Sequence, residues 1–206
     1  MAASDGVLTK KAHKKETYTE QEIQHLVKCM DPNTGYLHFM KNFYYIQHPV
    51  KGKLLFKPFP YQERLLQSYH NHRFNINLLS RQCGKTTCAA GYLLWYAMFN
   101  PDQTILIAAH KYTGAQEIMQ RIRYGYELCT DYIRAGVVNY NKQSIEFENG
   151  SRIVAQTTTA STGRGMSISL LYCLDGDTTT VKVRNKHTLV EEELTLAELY
   201  GRLTRN

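Results

Sequence analysis

The chain has no run of about 18 consecutive apolar residues, and no apolar stretch follows Lys10, Lys11, Lys14 and Lys15 near its start. Neither a membrane-spanning helix nor a secretory signal is expected, and the reading is a cytoplasmic protein with no membrane partner. Cysteine is sparse: Cys29, Cys83, Cys88, Cys129 and Cys173 are odd in number and never spaced C-x-x-C. That argues against a disulfide framework and against zinc. The histidines form no H-x-x-x-H pair either. What remains is a 206-residue chain, 43% hydrophobic, that can bury a full core.

Its formal charge of +7 is uneven, since residues 1–172 carry 20 Lys and Arg against 12 Asp and Glu, whereas residues 173–206 carry 5 against 6. A basic body suits a polyanion such as DNA. A solvated lysine-rich surface gives the same sum and is the commoner cause.

Residues 1–16 are polar and without periodicity, as in a flexible basic arm. Thr19-Glu20-Gln21-Glu22 has the form of a capping box, followed at helical spacing by Ile23, Leu26, Val27 and Met30. The aromatic stretch over residues 36–60 reads as packed core more readily than as a base-stacking platform. Phe74 to Leu79 reads as a short strand. From Thr86 onward Ala89, Ala90, Leu93, Leu94, Ala97 and Met98 mark a helix that Asn100-Pro101 ends. Thr104 to Ala109 is apolar on both faces, like a buried parallel strand, with His110-Lys111 at its C-terminal end. A helix over residues 115–133 follows. Asn149-Gly150 then predicts a hairpin turn, and Ile168 to Tyr172 a further strand.

Between the strand-like run and the first long helix lies Ser80-Arg81-Gln82-Cys83-Gly84-Lys85-Thr86-Thr87. A phosphate-binding loop needs these residue types: a glycine where backbone meets phosphate, N–H groups of a helix N-terminus to cradle it, a lysine for the β- and γ-oxygens, and a hydroxyl for magnesium at Thr86. The match to G-x-x-x-x-G-K-[ST] is incomplete, because Leu79 stands five residues before Gly84. An ordinary strand–turn–helix with a solvated lysine is the competing reading. Gln62, about one helix upstream, suits either an adenine-reading glutamine or an exposed residue at a helix start.

This order of motifs resembles the large terminase subunit of tailed bacteriophages, a DNA-packaging motor ATPase. The resemblance is carried over roughly residues 20–172 by Phe43-Tyr44-Tyr45-Ile46, Tyr61-Gln62, Ser80-Arg81-Gln82-x-Gly84-Lys85-Thr86, Ala109-His110-Lys111, Asn149-Gly150-Ser151, Gly163-Arg164-Gly165 and the strand ending at Tyr172. It implies an α/β fold of the P-loop (RecA/ASCE-like) class with a parallel sheet, with ATP and Mg2+ as cofactors. Gln62 would read adenine, and Ser80, Arg81, Gln82, Gly84, Lys85, Thr86 and Thr87 would hold the phosphates. Arg81 or Arg164 would stabilise transition-state charge. Double-stranded DNA, a portal and a small terminase subunit are the implied partners, and the cytoplasm of an infected bacterium the implied location.

The resemblance stops at Tyr172-Cys173-Leu174-Asp175-Gly176-Asp177-Thr178. A terminase strand would run here into two adjacent carboxylates, one for magnesium and one for the attacking water. Asp175 fits the first, but Gly176 stands in place of the second. Cys173-Leu174-x-Gly176-Asp177-Thr178-x-x-Val181 instead resembles the first block of an intein. Val181 and Val183 alternate with Lys182 and Arg184, Leu189 to Leu194 returns, and Thr195 to Leu203 patterns as a capped amphipathic helix, as in the N-fragment of a β-rich HINT fold. That resemblance makes Cys173 the splicing nucleophile at the Tyr172 carbonyl, with no cofactor. His187 and Asn206 lack the neighbours of the later intein blocks, so a complementary C-fragment fused to the terminase C-terminal half is the expected partner.

The expected organisation is thus a basic arm (1–16), an ATPase portion (17–172) and a split-intein N-fragment (173–206). The competing reading is a stand-alone P-loop nucleotide-binding module with a degenerate Walker B carboxylate at Asp175, in which Cys173 is an ordinary buried strand cysteine.

Overall fold

The computed structural model describes residues 9–77, 79–80, 82–159, 162–163, 165–174, 180–184, 191–195 and 198. Ahead of the first helix, residues 10–16 are held against the body and are not a free arm. Lys10 is 6% exposed, its ammonium pairs with Glu16 at 2.8 Å, and its backbone N–H donates to the Tyr126 hydroxyl. The ammonium groups of Lys10 and Lys14 hold the Glu16 carboxyl down at about 2. Residues 1–8 lie outside the described residues.

The capping box forms: Thr19 starts α1 (Glu20–Met30), and its N–H donates to the Glu22 carboxylate at 2.7 Å. The helix nevertheless docks on a different face from the one its apolar spacing predicts. Leu26 and Cys29 turn inward, with the Cys29 carbonyl accepting from the Trp95 indole at 2.8 Å, while Ile23, Val27 and Met30 stay exposed. The aromatic stretch becomes α2 (Gly35–Asn42) and an antiparallel ribbon, β1 (Tyr45–His48) with β2 (Gly52–Leu55). Tyr36, Phe39, Phe43, Tyr44 and Phe56 are buried, which makes the stretch core.

Next come α3 (Pro60–Asn71), which starts on a proline as helix N-termini favour, and α4 (Lys85–Phe99). Apolar side chains cover α4 all round, so it is the central helix, packed against α2, α3, β3 (Thr104–Ala109) and the following α5 (Tyr112–Leu128). The sheet contains β3 (Thr104–Ala109), β4 (Val137–Tyr140), β5 (Ser144–Phe147), β6 (Arg152–Thr157) and β7 (Leu170–Leu174), with α5 (Tyr112–Leu128) after β3. Its order is β4-β5-β6-β3-β7. Only β6, β3 and β7 run parallel, and β4 and β5 add an antiparallel extension. The fold is therefore α/β with a mixed sheet, not a purely parallel one. The cause is the Asn149-Gly150 turn, where Gly150 takes φ 81° and the Asn149 amide donates to the carbonyls of Ala97 and Met98, tying the β5–β6 turn to the end of α4.

Phe74 to Leu79 forms no strand among the described residues. Phe74 is 83% exposed, with the Arg73 guanidinium over its ring. A strand needs backbone hydrogen bonds to a neighbour, and among the described residues the open edge of β7, which pairs with β3 on its other side, takes none from this segment. Beyond the sheet, β8 (Thr180–Arg184) and β9 (Glu191–Thr195) pair antiparallel, Val181 opposite Leu194, as the tail's alternation predicts. The helix expected over residues 195–203 falls almost wholly outside the described residues. No described helix is long and apolar enough to cross a membrane.

Tyr44 is the wedge that joins these layers. It is 1% exposed and lies between α4 and α5, where both facing positions are glycine. A Cβ on Gly91 would overlap Met40 and the Tyr44 ring, and one on Gly125 would overlap the ring's other edge. Gly91→Ala gains helix propensity of about 1 kcal/mol but overpacks a ring held on both sides, at a cost of about 1–3 kcal/mol. The expected net result is a lower thermal unfolding midpoint by circular dichroism; an unchanged or higher midpoint would contradict the wedge.

Candidate functional site

The predicted loop residues converge at the start of α4. Gly84 is the N-cap residue, at φ 73°, and a Cβ there would stand 2.6 Å from the Gln62 amide nitrogen. Both conformation and space therefore require glycine. Gln82, at φ 63°, holds the same left-handed conformation without glycine's freedom, at a cost of roughly 1–2 kcal/mol. No side chain caps α4 and no carboxylate stands in its first turn, which leaves the N–H groups and positive end of the helix open to an anion. Lys85 folds back so that its ammonium donates to the Leu79 carbonyl at 3.2 Å, across the mouth of the loop.

The loop is braced from α3. The Tyr61 hydroxyl and the Gln62 amide both donate to the Cys83 carbonyl, at 2.9 and 3.0 Å, and the Gln62 amide oxygen accepts from the Phe59 N–H at 2.9 Å. Gln62 is 4% exposed and most of its amide is engaged inside the protein, with one N–H left over. The brace follows from the helix start: with Pro60 at the first position, Tyr61 and Gln62 fall on the turn that faces the loop. Its polar geometry was not readable from the sequence, because the acceptor is a backbone carbonyl 21 residues away from Gln62. Beside it, the Phe59 and Tyr61 rings lie parallel, 5.8 Å apart, and Phe59 is 61% exposed.

Ser80 and Gln82 are exposed at the loop, while Thr86 and Thr87 are half-buried in the first turn. Among the described residues of the loop and that turn, the hard-oxygen side chains are the hydroxyls of Ser80, Thr86 and Thr87 and the amide oxygen of Gln82. The residues fit a phosphate and its cation as an anion cradle with hydroxyl ligands. Arg81, Arg164 and Asp175 lie outside the described residues.

Tyr172 and Cys173 sit within β7, in register with Ile107 and Ala108 of β3. The strand therefore runs through the bond at which the sequence divides, and ends at Leu174. Tyr172 is within electrostatic reach of Cys88 in α4 and Tyr69 in α3, which puts β7 beside the loop helix. Burial pushes the Tyr172 phenol up to about 12 and also raises the Cys173 thiol. In this conformation Cys173 is thus less ionised than a free cysteine. At the sheet's C-terminal edge a separate hollow of about 410 Å³ is lined by Tyr112, Gln143, Gln156, Thr157, Thr159 and Thr162, and by none of the loop residues.

The family model described as the N-terminal part of the terminase large subunit, T4-like virus type, matches residues 76–178. The match takes in the loop, α4, α5 and the whole five-stranded sheet, and continues past Cys173 through Asp175.

Proposed function

Because that match spans half of its length, the chain belongs to the terminase large subunits of the T4-like virus type, a family of DNA-packaging ATPases, and we propose that residues 17–172 are the nucleotide-binding part of such a motor. The observation that carries this reading is the uncapped, carboxylate-free N-terminus of α4, with Gly84 in the left-handed conformation and Lys85 across the loop mouth. ATP would set its β- and γ-phosphates against the N–H groups of the first turn, with Lys85 released from the Leu79 carbonyl to reach them. Thr86 would hold magnesium, which when bound neutralises phosphate charge. Gln62 would offer its remaining N–H to the adenine, next to the Phe59 and Tyr61 rings. Arg81 and Arg164 are the proposed sources of transition-state stabilisation, and portal, small terminase subunit and double-stranded DNA the proposed partners. Titration calorimetry with ATP should show saturable binding that needs magnesium; no heat at millimolar nucleotide would overturn the proposal.

The second part of the proposal concerns residues 173–206. Cys173 begins a protein-splicing element, and the later blocks come from sequence outside these residues, as a split-intein C-fragment that also brings the terminase C-terminal half. The support is the intein-like run from Cys173 to Val181 together with the β8–β9 hairpin. One observation favours the competing module with Asp175 as its carboxylate: both β7 and the family match continue through Cys173. Intact mass in the presence of dithiothreitol separates the two, since only splicing chemistry releases residues 1–172.

A further inference from the structure

We propose that the β1–β2 ribbon is a contact surface for duplex DNA, an inference that rests on the DNA-packaging reading above. Between Asp31 and Glu63 the chain carries no carboxylate side chain, yet it has Lys41, Lys51, Lys53 and Lys57. Some cations elsewhere are neutralised by a carboxylate, as Lys14 is by Glu16, Lys41 by Glu63, Arg121 by Glu117 and Arg134 by Asp131. Among the described residues, Lys51, Lys53 and Lys57 have no carboxylate partner, and all three are exposed. An exposed cluster of cations without carboxylate partners is what a polyphosphate attracts, and each lysine that reaches a phosphate releases a counterion.

The shape fits as well as the charge. A two-stranded antiparallel ribbon is one of the elements that the major groove admits. In this ribbon Gln47 pairs in register with Lys53, whose ammonium lies 4.2 Å from the centre of the Tyr45 ring. Gln47, Lys53 and Tyr45 therefore share one face, a combination of amide, cation and ring suited to base edges and phosphates. At the tip the His48 Nδ1 accepts from the N–H groups of Val50 and Lys51, at 3.2 and 3.1 Å, which ties the turn together. Val50 is 87% exposed there, an apolar tip of the kind that meets thymine methyl groups. The ribbon's base is rigid, because the buried Tyr44 that leads into β1 donates to the Thr87 carbonyl in the first turn of α4.

The test is fluorescence anisotropy of a short fluorescein-labelled duplex titrated with the full chain over a range of salt, using wild type, K51A/K53A/K57A, and the control K15A/K28A/K142A, which removes the same charge from exposed positions elsewhere. The ribbon variant should bind about tenfold or more weakly at low salt, with a log K against log salt slope flatter by about 3. The control should lose much less, and lysine-to-arginine changes at the three ribbon positions should keep binding. Equal losses in ribbon variant and control, or undiminished binding by the ribbon variant, would overturn the proposal. The same samples are titrated with magnesium-ATP. Retained ATP binding shows that the ribbon variant is folded. Wild type that binds ATP but no DNA removes the ribbon proposal alone, whereas failure to bind either removes the ATPase reading beneath it.

Discussion

Lys85→Ala is expected to weaken magnesium-ATP binding by about 10- to 100-fold. Hydrogen bonds to charged groups contribute roughly 1.5–3 kcal/mol, and about 1.4 kcal/mol is a factor of ten in affinity. Among the described residues of the loop Lys85 is the side-chain cation, and its ammonium donates to the Leu79 carbonyl at 3.2 Å. Its removal should therefore cost the fold little, since Gly84, the Tyr61 and Gln62 brace and the buried faces of α4 are untouched. An unchanged melting curve with reduced calorimetric affinity is the expected pair of results. Equal affinity in wild type and variant would show that the loop is an ordinary strand–turn–helix with a solvated lysine.

Cys173→Ala should abolish any cleavage or ligation at the bond after Tyr172. In the proposed step the Cys173 sulfur attacks the Tyr172 carbonyl carbon. A carbon–sulfur bond forms, the Tyr172–Cys173 amide bond breaks, and the freed nitrogen takes up a proton, which leaves a thioester. Dithiothreitol then exchanges onto the acyl group and releases residues 1–172, a product that alanine cannot yield. The structure adds a condition to this prediction. The amide lies inside β7, in register with Ala108, and burial raises the thiol's pKa. The end of β7 must therefore leave β3 before attack, so cleavage should be slow for the chain alone and faster once the complementary fragment is supplied. A mass unchanged under every condition would favour the nucleotide-binding module, with Asp175→Ala, weakening magnesium-ATP binding, as the next variant.

Local chemistry accounts for what could be read in advance. The Thr19–Glu22 capping box, the apolar helix after the loop, the buried strand before His110 and the Asn149-Gly150 turn each depend on residues a few positions apart, and periodicity or turn preference reports them directly. The loop residues Gly84 and Lys85 are legible for the same reason, because a phosphate cradle is built from one short segment. Other features depend on what lies across from a segment. Phe74 to Leu79 has the alternation of a strand but, among the described residues, pairs with no strand. The apolar spacing of α1 did not reveal which side would meet Trp95. Lys10, polar by composition, is buried because Glu16 and Tyr126 receive it.

The sequence by itself thus placed the candidate phosphate loop at the start of a helix and marked the central helix and strand. Tertiary structure alone decided that the sheet is mixed, that Gln62 turns inward to brace the Cys83 carbonyl, that β7 continues through the Tyr172–Cys173 bond, and that Lys51 and Lys53 in the ribbon and Lys57 just after it have no carboxylate partner among the described residues. The physical reason is range. Hydrogen-bond ladders, burial and charge pairing are settled between residues far apart in the chain, where spacing along the sequence carries no information about which groups meet.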